Sequence, residues 1–281
     1  MHLTKVTAVF YSATGNTHKI VLRLARSIAD KLGLPLTVFD YTLPDSRTVH
    51  QTFTPQDLVL FGTPVYAGRI PNKLLPYVQD GFTGNEALAI PLVTFGNRSF
   101  DNGLVELRNE LENNGFHTIA GAAIPARHAF SDRIAAGRPD PHDLKLVDEF
   151  LSALLLLITK IQETSLPPAP VQVPGENPPL TYYTPLGTDG KPTVFLKAKP
   201  KTYIELCDDC GVCAAVCPMG AISHEDTSQV PGTCIKCQAC IRKCHTHAKY
   251  FDDPAFLSHV AMLEEHCTHP CEPKFFYACE P

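Results

Sequence analysis

The sequence has little of three features that each mark a class of protein. Lys and Arg number 24 against 29 Asp and Glu, so the formal net charge of −5 gives no electrostatic basis for binding nucleic acid. The longest apolar stretch, residues 150–161, is interrupted by Ser152 and Lys160 and is too short to span a bilayer. The chain also contains no tryptophan, which excludes a tryptophan stack on any aromatic cofactor.

The N-terminus lacks the signals that direct export. Residues 1–16 contain one short apolar run and no small-residue cleavage pattern, so we expect a cytoplasmic protein. The apolar stretch at 150–161 predicts a buried helix, with a homodimer face or a membrane-surface face as alternatives. A length of 281 residues favours two folded units.

Cysteine, by contrast, is abundant and patterned. Eight of the eleven cysteines form two runs with the same C-x2-C-x2-C-x3-C spacing, 27 residues apart: Cys207, Cys210, Cys213 and Cys217, then Cys234, Cys237, Cys240 and Cys244. Three thiolates at intervals of three residues can bind three irons of one cubane, and the fourth cysteine of this motif ligates the other cluster. Zinc sites instead use two cysteine pairs separated by a longer insert, which fits this spacing poorly.

The spacing therefore predicts two [4Fe–4S] clusters with crossed ligation. Cluster I takes Cys207, Cys210, Cys213 and Cys244, and cluster II takes Cys217, Cys234, Cys237 and Cys240. Residues 203–254 resemble the bacterial two-[4Fe–4S] ferredoxins, which implies a small α+β domain of two pseudo-symmetric cluster-binding halves. His245 stands where that family usually has proline, which bears on the loop geometry and potential of the cluster that Cys244 completes.

The N-terminal part begins with a strand–loop–helix pattern. An apolar run at 6–11 is followed by Ser-Ala-Thr-Gly-Asn-Thr at 12–17 and then by an amphipathic helical pattern. Such a loop offers backbone N–H groups, hydroxyls and a helix N-terminus to a phosphate. It is neither GxxxxGK[ST] nor GxGxxG, so ATP and dinucleotides are disfavoured. The alternative is a capped helix after a tight turn.

Further strands and helices alternate along this part of the chain. Strand patterns fall at 36–40, 57–62, 87–95 and 118–124, with helical patterns near 72–79, 101–114 and 141–162. This alternation predicts an α/β fold with a doubly wound parallel sheet. Ligands of such sheets bind at the carboxyl ends of the strands, where the loops 12–17, 63–68 and 96–100 fall.

Residues 1–165 together resemble the flavodoxin family, and the resemblance implies FMN. The candidate FMN-binding residues are Ser12, Ala13, Thr14, Gly15, Asn16, Thr17, Pro64, Val65, Tyr66, Ala67, Gly68, Gly96, Asn97, Arg98 and Phe100. On this resemblance the side chains of Ser12, Thr14, Asn16 and Thr17 would hold the phosphate. Tyr66 and Phe100 would cover the isoalloxazine, with core packing as the alternative. Arg98 would lie beside the pyrimidine edge, with solvent exposure or pairing to Asp101 as the alternative.

The remaining segments are a linker and a tail. Residues 166–202 contain nine prolines, which indicates a semi-rigid, partly extended connection. The tail, residues 255–281, contains Cys267, Cys271 and Cys279 with His266 and His269, at spacings that match no defensible metal motif. We expect ordinary packing on the body, with a further metal site, an adventitious disulfide or redox sensing through these cysteines as the alternatives.

The whole arrangement resembles the flavodoxin–ferredoxin fusion proteins of anaerobic microbes. It implies an oxygen-sensitive electron carrier that relays single electrons between two clusters and FMN, linking one- and two-electron redox protein partners. The alternative is an FMN-dependent reductase of a small substrate, with Arg127, His128 and Arg133 lining its pocket. For those three residues a solvated loop at the interdomain surface is the other interpretation.

Overall fold

Strands and helices alternate through the N-terminal part of the chain, as the computed structural model shows for residues 2–164 and 167–279. The strands of this described part are β1 (Lys5–Phe10), β2 (Leu36–Asp40), β3 (Gln51–Thr52), β4 (Asp57–Pro64), β5 (Phe82–Thr83), β6 (Leu88–Phe95), β7 (His117–Thr118), β8 (Ala120–Pro125), β9 (Lys201–Thr202), β10 (Lys249–Tyr250) and β11 (Lys274–Tyr277). Its helices are α1 (Asn16–Leu32), α2 (Leu75–Asp80), α3 (Gly103–Asn113), α4 (Pro141–Thr164), α5 (Val212–Ala215), α6 (Ala239–Lys243) and α7 (Pro254–His266). The predicted domain boundary at 165/166 lies outside the described residues, as do positions 1, 280 and 281.

The main sheet has the strand order β11-β8-β6-β4-β1-β2, and β7 pairs with β6 at its side. The strands are parallel except β11, which runs antiparallel to β8. Counted along the chain, the five longer strands β1, β2, β4, β6 and β8 follow the order 2-1-3-4-5. This is the flavodoxin-like doubly wound order, whose ligand-binding switch point lies between the first and third of these strands. The predicted fold class is therefore confirmed.

Burial on both faces explains the composition of the central strands. All eight residues of β6 are buried, and so are seven of the eight in β4, which matches their nearly continuous apolar sequence. Helix α1 packs directly over β4, because a Cβ atom on Gly62 would lie 2.3 Å from Cγ2 of Val21. The end of β4 and the start of α1 are thereby held side by side at the switch point.

The apolar stretch at 150–161 lies within α4. That helix buries Phe150, Leu154, Leu157 and Ile158, whereas Leu156 is exposed. A helix was thus correctly predicted, with its apolar face on the sheet. Within the described ranges, no helix is both long and apolar enough to cross a bilayer.

The C-terminal part folds back onto the first sheet. β9 and β10 pair antiparallel on either side of the cysteine runs, and the rings of Tyr203 and Tyr250 stack at 3.8 Å. After α7 the chain returns as β11, which places the ring of Phe275 4.6 Å from that of Phe150. The tail therefore contributes a helix and an edge strand, where ordinary packing alone was expected.

The proline-rich segment runs from the sheet to the C-terminal part. Residues 167–200, all of them described, contain no helix and no strand beyond one isolated bridge. The segment is fixed by backbone bonds such as Val171 N–H to Thr118 O and Tyr183 N–H to Ala67 O, 2.9 and 2.8 Å. Its later residues contact the C-terminal part, because Thr188 N–H donates to Ser258 Oγ at 3.1 Å and Lys199 Nζ donates to Val230 O at 2.6 Å.

Candidate functional site

The two cysteine runs follow the same backbone path. Each run leads into a short helix, α5 or α6, that carries the third cysteine of its run. Positive φ angles recur at three pairs of positions 27 residues apart: Asp209 and Lys236 (54° and 57°), Gly211 and Gln238 (73° and 67°), and Gly220 and His247 (55° and 56°). This conformation is costly for residues other than glycine. The second run keeps it with Lys, Gln and His, so the loop geometry itself is what the two halves share.

Backbone amides point at the cysteine sulfurs in both halves. Ala221 N–H donates to Cys217 Sγ at 3.3 Å, and Ala248 N–H donates to Cys244 Sγ at 3.2 Å, each from four residues further along. Burial alone would raise the pKa of the Cys244 thiol, but hydrogen bonds from Thr246 and from backbone amides lower it. Donors of this kind favour the thiolate, which is the form that binds iron.

Four cysteines from both runs line one enclosed cavity. These are Cys217, Cys234, Cys237 and Cys240, the set assigned to cluster II. Met219, Ile222 and Phe251 close the cavity with apolar surface. Burial raises the pKa of Cys240 to about 12 and that of Cys237 further. Such thiols ionise near neutral pH only beside a strong positive charge, so this donor set fits an iron–sulfur cluster.

The cluster I cysteines lie closer to solvent. Cys213 is buried beside Ile222, Cys207 and Cys244 are partly buried, and Cys210 is exposed. His245, the residue in place of the family proline, pairs with Asp208 at 2.9 Å, and both lie beside Cys210. The two runs are therefore tied to each other at this exposed end.

The 12–17 loop presents a row of backbone amides. Gly15 has a φ of 94° at the start of α1. Within the described part of the chain, the N–H groups of residues 13–17 donate to no protein acceptor. Ser12 Oγ accepts from the amide of His18 at 3.0 Å. A row of unpaired amides at a helix N-terminus fits a phosphate group.

The side chains of this loop divide between the phosphate position and other roles. Asn16 Nδ2 donates to Arg127 O at 3.1 Å, and the Thr17 hydroxyl is buried 2.8 Å from that of Thr94. Of the four side chains predicted to hold the phosphate, only the Thr14 hydroxyl has no partner among the described residues. Phosphate binding by this loop remains a prediction, with the backbone amides as its main donors.

The loop after β4 makes a tight turn. Tyr66 and Arg69 pair across it, with positive φ at Ala67 (49°) and Gly68 (81°). A Cβ atom on Gly68 would lie 2.4 Å from Oδ2 of Asp101, so this turn packs directly against the segment that follows β6. Only glycine fits both the φ angle and the contact.

Tyr66 also lies beside the cluster II cysteines. Its ring meets that of Tyr11 edge-on at 6.4 Å, and both rings belong to the buried cluster that contains Cys237. Burial raises the pKa of Tyr66, and the Cys237 and Cys234 sulfurs raise it further. The residues that follow β1 and β4 therefore share a buried cluster with Cys237.

The 96–100 loop is engaged by the tail and the linker. The Asn97 carboxamide donates to Cys267 O and His269 O at 2.8 and 3.0 Å and accepts from Cys271 N–H at 2.9 Å. The Arg98 guanidinium pairs with Asp101 and lies 3.9 Å from the ring centroid of Tyr183. The alternative considered for Arg98, pairing with Asp101, is thus the contact that the structure shows. The anchoring role of Asn97 had no signal in the sequence.

Core packing is likewise what the structure shows for Phe100. Its ring lies 5.6 Å from that of Phe95 and belongs to the apolar cluster under the sheet. Val65 packs against Gly103, where a Cβ atom would be 2.7 Å away, and Pro64 ends β4. Gly96 lies under the ring of His128, which a Cβ atom there would approach to 2.2 Å.

The loop after β8, residues 126–133, forms hydrogen bonds and ion pairs with the C-terminal part. Arg242 donates to Ala129 O at 3.2 and 3.0 Å and pairs with Asp132, and Arg133 pairs with Glu264 at 2.9 Å. The pKa of His128 is lowered to about 4, mainly because the ring is buried and also because positive groups lie nearby. These contacts agree with the interdomain interpretation of this loop.

Comparison with known proteins supports the C-terminal assignment directly. Residues 201–223 match the family model described as the 4Fe-4S binding domain, which covers the first cysteine run. The predicted [4Fe–4S]-binding, ferredoxin-like region is thereby confirmed, although the number of clusters is not. No curated protein sequence matches the chain.

Three solved structures show limited similarity to the chain. A flavodoxin from the domain Archaea is 13% identical, with coverage of 57% of this chain and 99% of that one and a TM-score of 0.38. A flavodoxin of Streptococcus pneumoniae TIGR4 is 18% identical, with 56% and 99% coverage and a TM-score of 0.39. The rubredoxin oxygen:oxidoreductase of the anaerobe Desulfovibrio gigas is 15% identical, with 57% and 38% coverage and a TM-score of 0.36.

Proposed function

We propose that this protein relays electrons between two [4Fe–4S] clusters and an FMN, and so links one-electron and two-electron redox partners. In this proposal residues 1–165 are a flavodoxin-like FMN domain, 166–202 a linker, 203–254 a two-cluster ferredoxin-like domain and 255–281 a tail. One observation carries the proposal. Cys237, which lines the cavity formed by cysteines of both runs, belongs to the same buried cluster as Tyr11 and Tyr66, which follow the carboxyl ends of β1 and β4.

The proposal assigns a set of residues to each group. Cluster I would be held by Cys207, Cys210, Cys213 and Cys244, and cluster II by Cys217, Cys234, Cys237 and Cys240. The amides of residues 13–17 and the Thr14 hydroxyl would bind the FMN phosphate. When bound, each cluster exchanges one electron and the flavin one or two.

The protein surroundings differ between the two cluster positions. Met219, Ile222 and Phe251 give the cluster II cavity an apolar lining. At the cluster I end, Cys210 is exposed and Ile204 is 67% exposed, so a partner protein can approach there. An exposed entry and an enclosed inner position suit a carrier that receives electrons from a protein. The contacts of Arg242 and Arg133 favour the carrier over the reductase, because they place the 127–133 loop in an interface.

Cofactor content and flavin reduction test this proposal. Protein purified anaerobically should contain about eight iron, eight sulfide and one FMN per chain. A reduced bacterial ferredoxin, mixed with the loaded protein, should then bleach the flavin absorbance. Cys240→Ala should slow this bleaching at least tenfold while FMN stays bound, because the enclosed cavity loses a ligand. The matched control is Cys279→Ala, a cysteine of the tail, which should bleach like the wild type. Equal rates for all three proteins would refute the relay.

A further inference from the structure

Lys249 is a buried lysine that has no acidic partner. The residue lies in β10 and is only 4% exposed. Its ammonium donates to two neutral acceptors, Thr202 Oγ1 at 2.8 Å and the carbonyl oxygen of Thr227. Across the described part of the chain, no carboxylate forms an ion pair with it. Because lysines are almost never fully buried unless they are paired, this ammonium indicates a negative charge that only the loaded protein contains.

The equivalent position in the first cysteine run is apolar. Ile222 and Lys249 each lie five residues after the last cysteine of their run, and so 27 residues apart. The backbone around the two positions matches, since the residue before each one donates its amide to the sulfur of that cysteine, at 3.3 and 3.2 Å. Ile222 is 3% exposed and lines the cavity assigned to cluster II. The matched geometry therefore puts Lys249 at the corresponding side of the cluster I position.

Contacts of Lys249 lead to the cysteines assigned to cluster I. Thr227, which accepts from the ammonium through its carbonyl oxygen, is 4% exposed and has its hydroxyl 4.0 Å from Cys207 Sγ. The residue directly before Lys249 donates its N–H to Cys244 Sγ at 3.2 Å. Burial raises the pKa of Cys213, and the charge of Lys249 is the largest influence that opposes this rise. Three of the four cysteines of this set are thus linked to Lys249 by contacts or by its charge.

We propose that the buried ammonium of Lys249 is the counter-charge of cluster I and raises the reduction potential of that cluster, so that cluster I is reduced before cluster II. The inference rests on the proposed ligation of the two clusters. Reduction adds one electron to the cluster, no proton moves at Lys249, and a positive charge nearby stabilises the added negative charge. The effect on cluster II is smaller, because the apolar Ile222 stands at its equivalent position. It is not zero, since Lys249 also acts against burial, which raises the pKa of Cys240 to about 12. Cluster I would then be the favoured position for an electron that enters at the exposed end.

Variants that separate charge from packing test the proposal. Lys249→Met fills the space without a charge, Lys249→Gln keeps a neutral donor, and Lys249→Arg keeps the charge. The matched control is Lys201→Met in the paired strand β9, because the Lys201 side chain is 59% exposed and already pairs with Asp252. Redox titrations of the loaded proteins, followed by EPR, measure the potential of each cluster, and the signals are assigned with the variants Cys217→Ala and Cys244→Ala.

The expected shifts differ between the clusters. At a fixed potential, Lys249→Met and Lys249→Gln should lower the ratio of reduced to oxidised cluster I about tenfold to thirtyfold, and that of cluster II about threefold or less. At 59 mV per tenfold for one electron, the shift of cluster I is about 60–90 mV. Lys249→Arg should stay within about threefold of the wild type, and Lys201→Met should match the wild type at both clusters.

The outcomes distinguish this inference from the proposed function. A wild type that holds fewer than two clusters would show that the proposed ligation is wrong. If both clusters are present, the role of Lys249 is refuted by an unchanged cluster I potential in Lys249→Met and Lys249→Gln, by equal shifts of both clusters, or by a loss in Lys249→Arg as large as in Lys249→Gln. Should the uncharged variants fail to assemble cluster I, the wild type alone decides. Its cluster I should be reduced at a higher potential than cluster II, and the reverse order would overturn the inference.

Discussion

Arg242 is expected to hold the cluster-binding module against the sheet domain. It lies in α6 between Cys240 and Cys244, and its side chain is only 16% exposed. Two of its nitrogens donate to the carbonyl oxygen of Ala129. Replacing Arg242 with alanine removes these charged donors and leaves the carbonyl without them. Because hydrogen bonds to charged groups contribute about 1.5–3 kcal/mol, we expect a loss of about 2 kcal/mol in the docking of the two parts.

The ion pair of Arg242 with Asp132 adds little to that figure. The Asp132 side chain is 72% exposed, and exposed pairs contribute about 0–1 kcal/mol. Arg133 provides the matched control, because it pairs with Glu264 across the same interface but is itself 76% exposed. Arg133→Ala should therefore cost less than about 1 kcal/mol.

Urea unfolding of the loaded protein measures both losses. Circular dichroism reports the whole chain, since no tryptophan is available for fluorescence, and cluster absorbance reports the C-terminal module. In Arg242→Ala the cluster absorbance should be lost at lower urea concentration than in the wild type, whereas Arg133→Ala should nearly match the wild type. Equal losses in the two variants would show that the contacts with Ala129 O do not hold the interface.

Three further predictions concern the ligands, the phosphate loop and a histidine. Cys217→Ala should abolish the EPR signal of cluster II and Cys244→Ala that of cluster I; loss of the cluster held by the variant's own run instead would contradict the crossed ligation. Thr14→Val should weaken the binding of FMN by about 1.5–3 kcal/mol, while riboflavin, which lacks the phosphate, should bind nearly as before. An equal loss of affinity for both ligands would rule out this loop as the phosphate site. Burial lowers the pKa of His128 to about 4 in the folded protein, so as the pH falls the unfolded chain takes up this proton before the folded chain does. The free energy of unfolding should therefore fall by about 1–3 kcal/mol between pH 6.5 and pH 4. Acid titrations of the unfolding free energy should show a shallower fall in His128→Gln, and identical profiles would count against this assignment.

The sheet and the cysteine loops could be predicted because their signals are local. Short apolar runs, separated by segments with helical periodicity, predicted the positions of the longer strands. Strand β2, for example, has the predicted bounds of 36–40. The matched spacing of the two runs predicts crossed ligation, which stays a prediction; the structure places Cys217 in one cavity with Cys234, Cys237 and Cys240. Both inferences need only the periodicity of the chain and the chemistry of thiolates.

Contacts between distant segments were beyond prediction from one sequence. Strand β11 is four residues long and gains its partner only when the chain returns to β8. In the sequence Asn97 is a polar loop residue after β6 with no distinguishing feature. Its carboxamide donates to the carbonyl of Cys267, which lies 170 residues further along the chain. The side chains of Asn16 and Thr17 were expected at a phosphate. Their bonds to Arg127 and Thr94 form only in the folded arrangement, so the sequence alone did not reveal them.

The position of β11 has a consequence for how the protein reaches its final state during synthesis. Everything up to β8 can leave the ribosome and fold while one side of β8 still has unpaired backbone groups. That edge is closed only after both cysteine runs have been made, since β11 follows them in the chain. An unpaired edge strand invites association with other chains. Chains that stop before residue 274, or whose C-terminal part does not fold back, would therefore expose the unpaired edge of β8. Such chains would be prone to aggregation and to degradation.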